Sequence, residues 1–273
     1  MSRRHFVIPD RQNKPGVPLE HNRWIGQAIA KYEPDVVIDL GDGADFESIS
    51  THAEPGTLSR EGKRLKADFD AYNQAESLLR EGMGGFKPKR MIRLRGNHEH
   101  RLTRYIEKNP VLEGLIGLHL LDDRGWEIVP YCGDHPGVIQ VDGVWYAHYF
   151  VQPNNSNAVT GTIPTRIARV GGSFVQGHQQ GLIRGNVPLS TGRTYFGVVA
   201  GSCYLHDEGY KGLANAHFRG VVVLNDVRNG QFLDMPLDID YLCREFAGTS
   251  VARWLQRNRR NAKARYSLAR VAA

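Results

Sequence analysis

Along the first hundred positions, short continuous apolar runs alternate with stretches whose apolar residues fall at helical spacing. Phe6-Val7-Ile8 reads as a strand, and Asp10 follows it after a proline. Arg11 to Pro18 carries two prolines and reads as a loop. Leu19 to Lys31 places Trp24, Ile25, Ala28 and Ile29 near helical spacing, which predicts a helix. Val36-Val37-Ile38-Asp39-Leu40 is apolar almost without interruption, as in strands buried on both faces of a parallel sheet, and it ends in Gly41-Asp42-Gly43. Ser59 to Glu81 predicts a long helix with Leu65, Phe69, Tyr72, Leu78 and Leu79 inward, closed by turn chemistry over Gly82 to Pro88. Met91 to Leu94 is a further strand, and Arg101 to Lys108 a helix after the turn Gly96-Asn97-His98-Glu99-His100. The order β-α-β-α-β predicts parallel strands joined by right-handed crossovers. Side chains at the C-terminal ends of such strands face a common crevice, so Asp10, Asp42 and Asn97-His98 are expected to meet.

The second half has a different texture. Val138 to Gln140 and Val144 to His148 flank Val141-Asp142-Gly143, a hairpin signal. Ser173 to Gln176 is a strand ending in Gly177-His178-Gln179-Gln180, and Tyr195 to Ala200 and Gly220 to Leu224 are two more. Asn229-Gly230 marks a second hairpin into Phe232-Leu233. Strands with tight turns suggest more antiparallel pairing here. The whole is expected to be an α/β (α+β) fold: a two-sheet β-sandwich flanked by helices and built from β-α-β units. Pro153 to Gly161, rich in Asn, Ser and Thr, is a candidate rim loop.

Composition narrows the picture. A chain of 273 residues, 41% hydrophobic and 23% charged, can bury a substantial core. A main domain over residues 1–240 and a C-terminal extension over 241–273 are expected. No run of eighteen apolar residues occurs, so no membrane-spanning helix is expected. The N-terminus runs straight into the first strand without the apolar segment of a signal peptide. Three cysteines, Cys132, Cys203 and Cys243, without a Cys-x-x-Cys spacing argue for a reducing, cytoplasmic setting and against a thiolate zinc site. The net charge is +6, and the segment from Val251 onward holds seven basic residues and no acidic ones; subtracting those seven from +6 leaves −1 for the preceding 250 residues. The C-terminus is therefore a basic arm on a near-neutral body.

The polar residues at the strand ends form a set: Asp10, Gln12, Asp42, Asn97, His98, His148, His178 and Gln180. Carboxylate, imidazole and amide donors without thiolate suit Mn²⁺, Mg²⁺, Fe²⁺ or Zn²⁺. Two such ions bridged by one carboxylate would clamp a phosphoryl group, and Asp42 is the natural bridge. Taken singly, each residue has a plainer reading. Asp10 could be a turn former, and His148, among aromatics, could be a core histidine. His52, His119, His135 and His217 have no such pattern around them and read as structural or surface residues. Glu99 and His100 are expected to orient the neighbouring ligands.

Asp10-Arg11-Gln12, Gly41-Asp42, Gly96-Asn97-His98-Glu99, His148 and Gly177-His178-Gln179-Gln180 occur in an order that resembles the calcineurin-like metallophosphoesterases, over roughly residues 5 to 235. Gly96 to Tyr105, with Gly201-Ser202-Cys203-Tyr204 and His217-Phe218-Arg219-Gly220, is similar to versions encoded by bacteriophages, which would place the protein in the host cytoplasm. The resemblance implies two divalent ions, most readily Mn²⁺. Asp10, Gln12, Asp42 and Gln180 would surround the first, and Asp42, Asn97, His148 and His178 the second. A hydroxide bridging the ions would attack phosphorus, with His98 as general acid. Arg95, Arg101 and His206 are candidates for contact with the phosphate. The chain departs from the family pattern at Gln12 and Gln180, where histidine is usual. An amide oxygen is a weaker, harder ligand, so the first ion is expected to bind less tightly.

The expected function is hydrolysis of a phosphodiester, with nucleic acid or a nucleotide as substrate. Two alternatives stay open: a phosphomonoesterase acting on a small nucleotide, or a catalytically decayed, metal-stabilised DNA-binding or virion-associated protein. The basic arm, with Trp254 and Tyr266, could contact nucleic acid, although Trp254 and Leu255 also read as packing residues that anchor it.

Overall fold

The computed structural model describes residues 2–51, 61–208, 215 and 217–258. It is a mixed α+β fold in which two sheets stack and, among the described residues, six α-helices flank them. The first sheet contains β1 (Arg3–Ile8), β2 (Val36–Asp39), β3 (Arg90–Leu94), β4 (Glu127–Val129), β10 (Gly220–Arg228) and β11 (Gln231–Asp238), in the order β11-β10-β1-β2-β3-β4. Strands β1 to β3 are parallel, as the β-α-β pattern predicts, and β4, which the sequence did not indicate, extends them in parallel, while β10 and β11 add antiparallel at the β1 edge. The second sheet orders β5 (Val138–Val141), β6 (Val144–Ala147), β7 (Phe174–Gln176), β9 (Thr194–Ala200) and β8 (Leu182–Pro188) as β5-β6-β7-β9-β8.

Other elements also differ from the sequence expectation. The helix after β3, α3 (Asn97–Glu107), begins at Asn97 rather than Arg101. Glu99 reaches back to the Gly96 N–H and closes the first turn earlier than apolar spacing alone indicates. Helix α2 spans Leu65–Met83 rather than starting near Ser59; residues 59 and 60 lie outside the described residues. The second sheet is less antiparallel than expected, because β6–β7 and β7–β9 pair in parallel. The cause is α4 (Ile163–Val170), which joins β6 to β7 as a crossover and which the sequence reading left unassigned. It has eight residues and contains Pro164, which is tolerated because it sits in the first turn, after the N-cap Thr162. Strand β8 was also unassigned; its half-exposed Leu-Ile-Arg-Gly-Asn-Val-Pro shows no apolar run.

The inner faces of the two sheets share one buried cluster. Val7, Ile38, Ile92 and Val222 come from the first sheet, and Tyr146, Val175 and Val198 from the second. The outer face of the first sheet, including Phe6, Ile8, Val37 and Val221, is covered by α1 (His21–Tyr32), α2, α5 (Ile239–Ala247) and α6 (Val251–Arg257). Val251 and Leu255 of α6 are buried there, and Trp254 meets the Trp24 ring edge-on at 5.4 Å. The C-terminal segment thus starts as part of the core. Arg259, Arg260, Lys263, Arg265, Tyr266 and Arg270 of the basic arm lie outside the described residues.

Beneath the crevice a buried ionic network ties the strands to α2. Glu76 of α2 accepts from Arg11 Nη2 at 2.6 Å, Arg93 Nη2 at 2.8 Å and Trp126 Nε1 at 3.1 Å. Asp39, at the end of β2, accepts from Arg11 at 2.8 Å and from Arg93 Nε at 3.0 Å. Arg93 also lies 4.0 Å over the Trp126 ring. Arg11 sits between Asp10 and Gln12 in sequence, so the network fixes that loop from below. Removing one partner would leave opposite charges buried and unpaired, which costs about 3–5 kcal/mol. Glu76→Ala is therefore expected to lower unfolding free energy by about that amount in urea titration; a loss under about 1 kcal/mol, the worth of a surface pair, would show that the network is not a structural tie.

Candidate metal centre

Every strand that feeds the crevice does so from its C-terminal end. Asp10 lies just beyond β1, Asp42 beyond β2, Asn97 and His98 beyond β3, His148 immediately after β6, and His178 beyond β7. The loops approach closely, which explains the glycines before the polar residues. A Cβ on Gly96 would lie 2.1 Å from Asp42 Oδ1, and one on Gly177 would lie 2.6 Å from Asp10 Oδ1. Gln12, Asp42 and His178 are non-glycine residues with positive φ (41°, 52° and 64°), a conformation that costs on the order of 1–3 kcal/mol and needs support. Each backbone N–H has a partner that supplies it. Gln12 donates to the Asp42 carbonyl at 2.8 Å, Asp42 to Glu99 Oε2 at 3.0 Å, and His178 to Asp10 Oδ1 at 3.0 Å.

Among the described residues, one group of His, Cys, Asp and Glu side chains converges as metal ligands could: Asp42, His148 and His178, with ligand atoms within 4.8 Å of one another. Asn97 Oδ1 completes the set, 2.9 Å from His148 Nε2 and 2.8 Å from His178 Nδ1. His148 Nδ1 lies 2.9 Å from the Leu40 carbonyl. A carbonyl only accepts, so Nδ1 carries the hydrogen, and the neutral ring then turns a lone pair toward Asp42 Oδ2 at 3.3 Å. Turning the Asn97 amide over would give the rings a donor but would leave that opposition in place. A proton on Nε2 relieves that opposition in the metal-free protein, and a divalent cation among these four donors, whose oxygens and ring nitrogens suit one, would do so in its place.

The titration behaviour has the same cause. Burial lowers the proton affinity of His148, but Asp42 and Asp10 more than offset it and raise its pKa to about 9. Burial raises the Asp42 carboxyl, yet His148 and His98 outweigh that and hold it well below the ordinary carboxylate range. Asp10 is fully buried; burial raises its pKa to about 7 against the pull of His148. Its Oδ2 has no partner, and neither does the buried Oε1 of Gln12 two residues on. These two oxygens on one loop are vacant acceptors. Gln180 differs, because its Oε1 accepts from the Tyr204 hydroxyl at 2.7 Å.

His98 is held at the crevice. Its backbone N–H donates to Asp42 Oδ1 at 2.8 Å, and its Nε2 lies 3.7 Å from Asp42 Oδ2. Asp45 Oδ1 is 3.0 Å from Nδ1, and Arg101 Nη2 is 2.8 Å from Nε2. Burial opposes a proton on His98, but Asp42 and Asp45 outweigh it and raise the pKa. Asp45 was missed by the sequence reading; the available signal was a second aspartate in the loop that carries Asp42. Behind it, Lys14 Nζ bridges Asp45 at 3.3 Å and Glu208 at 3.0 Å, and Glu208 meets His206 Nε2 at 2.7 Å.

The remaining expectations divide. Arg101 is at His98. His206 reaches His98 only through Glu208, Lys14 and Asp45 in turn. Arg95 is not brought to the cluster: its Nη2 is held by Asp123. Glu99 orients the site as expected, accepting from the N–H groups of Gly96 at 2.8 Å and of Asp42 and Ala44 at 3.0 Å. His100 does not; it stacks on Tyr131 and pairs with the exposed Asp134. His217, given no role from the sequence, lies 3.0 Å from Ser202 Oγ. His52 lies outside the described residues. Cys203 is buried, and burial pushes its thiol up to about 12. No helix among the described residues is long and apolar enough to cross a membrane. Compared with protein-family models and with curated proteins, the chain finds no match.

Two predictions follow from this geometry. The His148 pKa in the folded state exceeds its ordinary value of 6.5, so its protonation stabilises metal-free protein below pH 6.5, and that stabilisation is lost as pH rises toward about 9. The Tm of metal-stripped protein is expected to fall across this window, and saturating Mn²⁺ to remove the fall; equal slopes with and without metal would contradict the assignment. Gly96→Ala, which drives a methyl into Asp42, is expected to weaken Mn²⁺ binding by about 10–100-fold in calorimetric titration, and unchanged affinity would show that the close approach is not needed.

Proposed function

We infer that this chain is a calcineurin-like metallophosphoesterase acting on a phosphodiester, with nucleic acid or a nucleotide as its substrate class. The observation that carries this reading is the convergence of Asp42, Asn97, His148 and His178 beside a half-buried His98 that has its own aspartate. The order of the motifs supports it independently. Divalent ions bound there would supply Lewis acidity toward phosphoryl oxygens and a nucleophile at neutral pH.

The protein's own groups divide the remaining work. Asp42 presents one oxygen to the His98 N–H and the other to His148, so its position is set before any ion arrives. Asp45 lies at His98 Nδ1 and directs Nε2 into the crevice. Arg101 can only donate, so its approach to Nε2 makes that atom an acceptor in the resting arrangement. A phosphate oxygen that draws Arg101 onto itself would free Nε2 to take up a proton from solvent, which the neighbouring Asp42 and Asp45 favour, and to pass it to the leaving oxygen. Arg101 thereby links substrate binding to the readiness of the acid.

The supporting geometry favours an asymmetric centre. Asp42, Asn97, His148 and His178 form a four-donor set for one ion. The other side is offered Asp10 Oδ2 and Gln12 Oε1, while Gln180 is engaged by Tyr204. We expect one tightly held ion and a second that binds at higher concentration or with substrate. That thinner donor set is also what favours the second reading, a metal-stabilised binding protein without turnover.

Metal-stripped protein titrated with Mn²⁺ is expected to hydrolyse bis-p-nitrophenyl phosphate, and His98→Ala to reduce kcat by about 10²–10⁴-fold with metal content unchanged. Full turnover in the variant would remove His98 as the acid. No turnover by wild-type protein at saturating Mn²⁺ would favour the binding protein.

A further inference from the structure

A cleft of about 500 Å³ opens along α3, the helix that begins at Asn97 and His98, and is lined by Arg95, His100, Thr103, Leu121, Ile128 and Tyr131 among others. Its size is that of a site for a small organic ligand. Three observations define what it would hold. First, one wall is aromatic. His100 and Tyr131 stack at 4.3 Å with their planes 12° apart, and His100 sits on the helix that begins at Asn97 and His98. Second, Arg95 is 5% exposed, and only Nη2 of its guanidinium is engaged, by Asp123. Its Nε and Nη1 have no partner. Buried donors of this kind call for an acceptor. Third, Asp123 already balances the Arg95 charge and also pairs with Arg93. A second phosphate or a carboxylate would therefore find little net positive charge, whereas a neutral ring with acceptor atoms on its edge would satisfy Arg95 and stack on the wall.

We propose that this cleft receives a planar heterocycle with edge acceptors, the class of the nucleobases, on a molecule whose phosphate lies at the metal cluster. The second half of that statement rests on the phosphoesterase reading above; the first does not. It gives Arg95 a task that its separation from the cluster denies it as a phosphate ligand.

The test uses the full chain and three probes: guanosine, inorganic phosphate and guanosine 5′-monophosphate, each titrated with and without Mn²⁺. Guanosine is expected to bind metal-free protein and to lose between about fivefold and a hundredfold in affinity in Tyr131→Ala, the range set by one base–aromatic stack. Thr103→Trp, which fills the cleft from its exposed rim, guards against a variant that fails to fold, and it should lose guanosine equally. Phosphate should bind only with Mn²⁺ and be indifferent to both substitutions. The monophosphate should bind Mn²⁺-loaded protein more tightly than either part. Guanosine that does not bind, or that binds both variants as well as wild type, overturns the proposal even if phosphate binds. Guanosine binding that is lost in both variants, with no phosphate binding to Mn²⁺-loaded protein, overturns the phosphoesterase reading and leaves the cleft as a heterocycle site.

Discussion

A buried carboxylate that accepts three backbone N–H bonds ties the loop after β2 to the start of α3, and the geometry of the cluster hangs on that tie. Glu99 holds the amides of Gly96, Asp42 and Ala44 together, so Asp42 keeps its left-handed backbone while Asn97 and His98 begin a helix beside it. Hydrogen bonds to a charged group are among the stronger ones, and three buried donors left without an acceptor would each carry a desolvation cost. The two glycines complete the arrangement by letting the loops approach closer than any side chain would permit.

Two charge networks meet at this point and play different parts. Below the crevice, Arg11, Arg93, Asp39 and Glu76 pair opposite charges with one another. In the crevice, Asp10, Asp42, Asn97, His148 and His178 gather carboxylate, amide and imidazole groups, and Asp42 and Asp10 hold a proton on His148 up to about pH 9. Asp42, His148 and His178 lie close enough together to share a cation. The Lys14–Asp45–Glu208–His206 chain lies between these extremes and supports His98 from the side away from the metal ligands.

Much of this was legible in the sequence, and the boundary is physical. The parallel strands declared themselves through unbroken apolar runs such as Val36 to Leu40, because a strand buried on both faces needs nothing polar. The hairpin at Asp142-Gly143 was legible because its turn demands those residues. Helix α4 and strand β8 were not legible. One is a single short crossover containing a proline, and the other is half exposed, so neither carries a periodic pattern long enough to read. Asp42, Asn97 and His178 could be named because each follows a glycine at a strand end, and His148 because it ends a strand and falls in the order of the other motifs. Asp45 and the Lys14–Glu208 bridge could not be named, since their meaning lies in contacts across up to 194 positions of chain. Arg95 shows the opposite failure. Its nearness to Asn97 in sequence suggested the phosphate, but the alternation of a strand end turned it to the other side, toward Asp123.

The central claim is that Asp42, Asn97, His148 and His178 hold a divalent cation. Anomalous diffraction from crystals grown with Mn²⁺ tests it most directly. The account predicts a strong peak bounded by those four side chains, with a weaker one, if any, on the side of Asp10 and Gln12. No peak among the four at saturating Mn²⁺, or a peak only elsewhere on the protein, would contradict it.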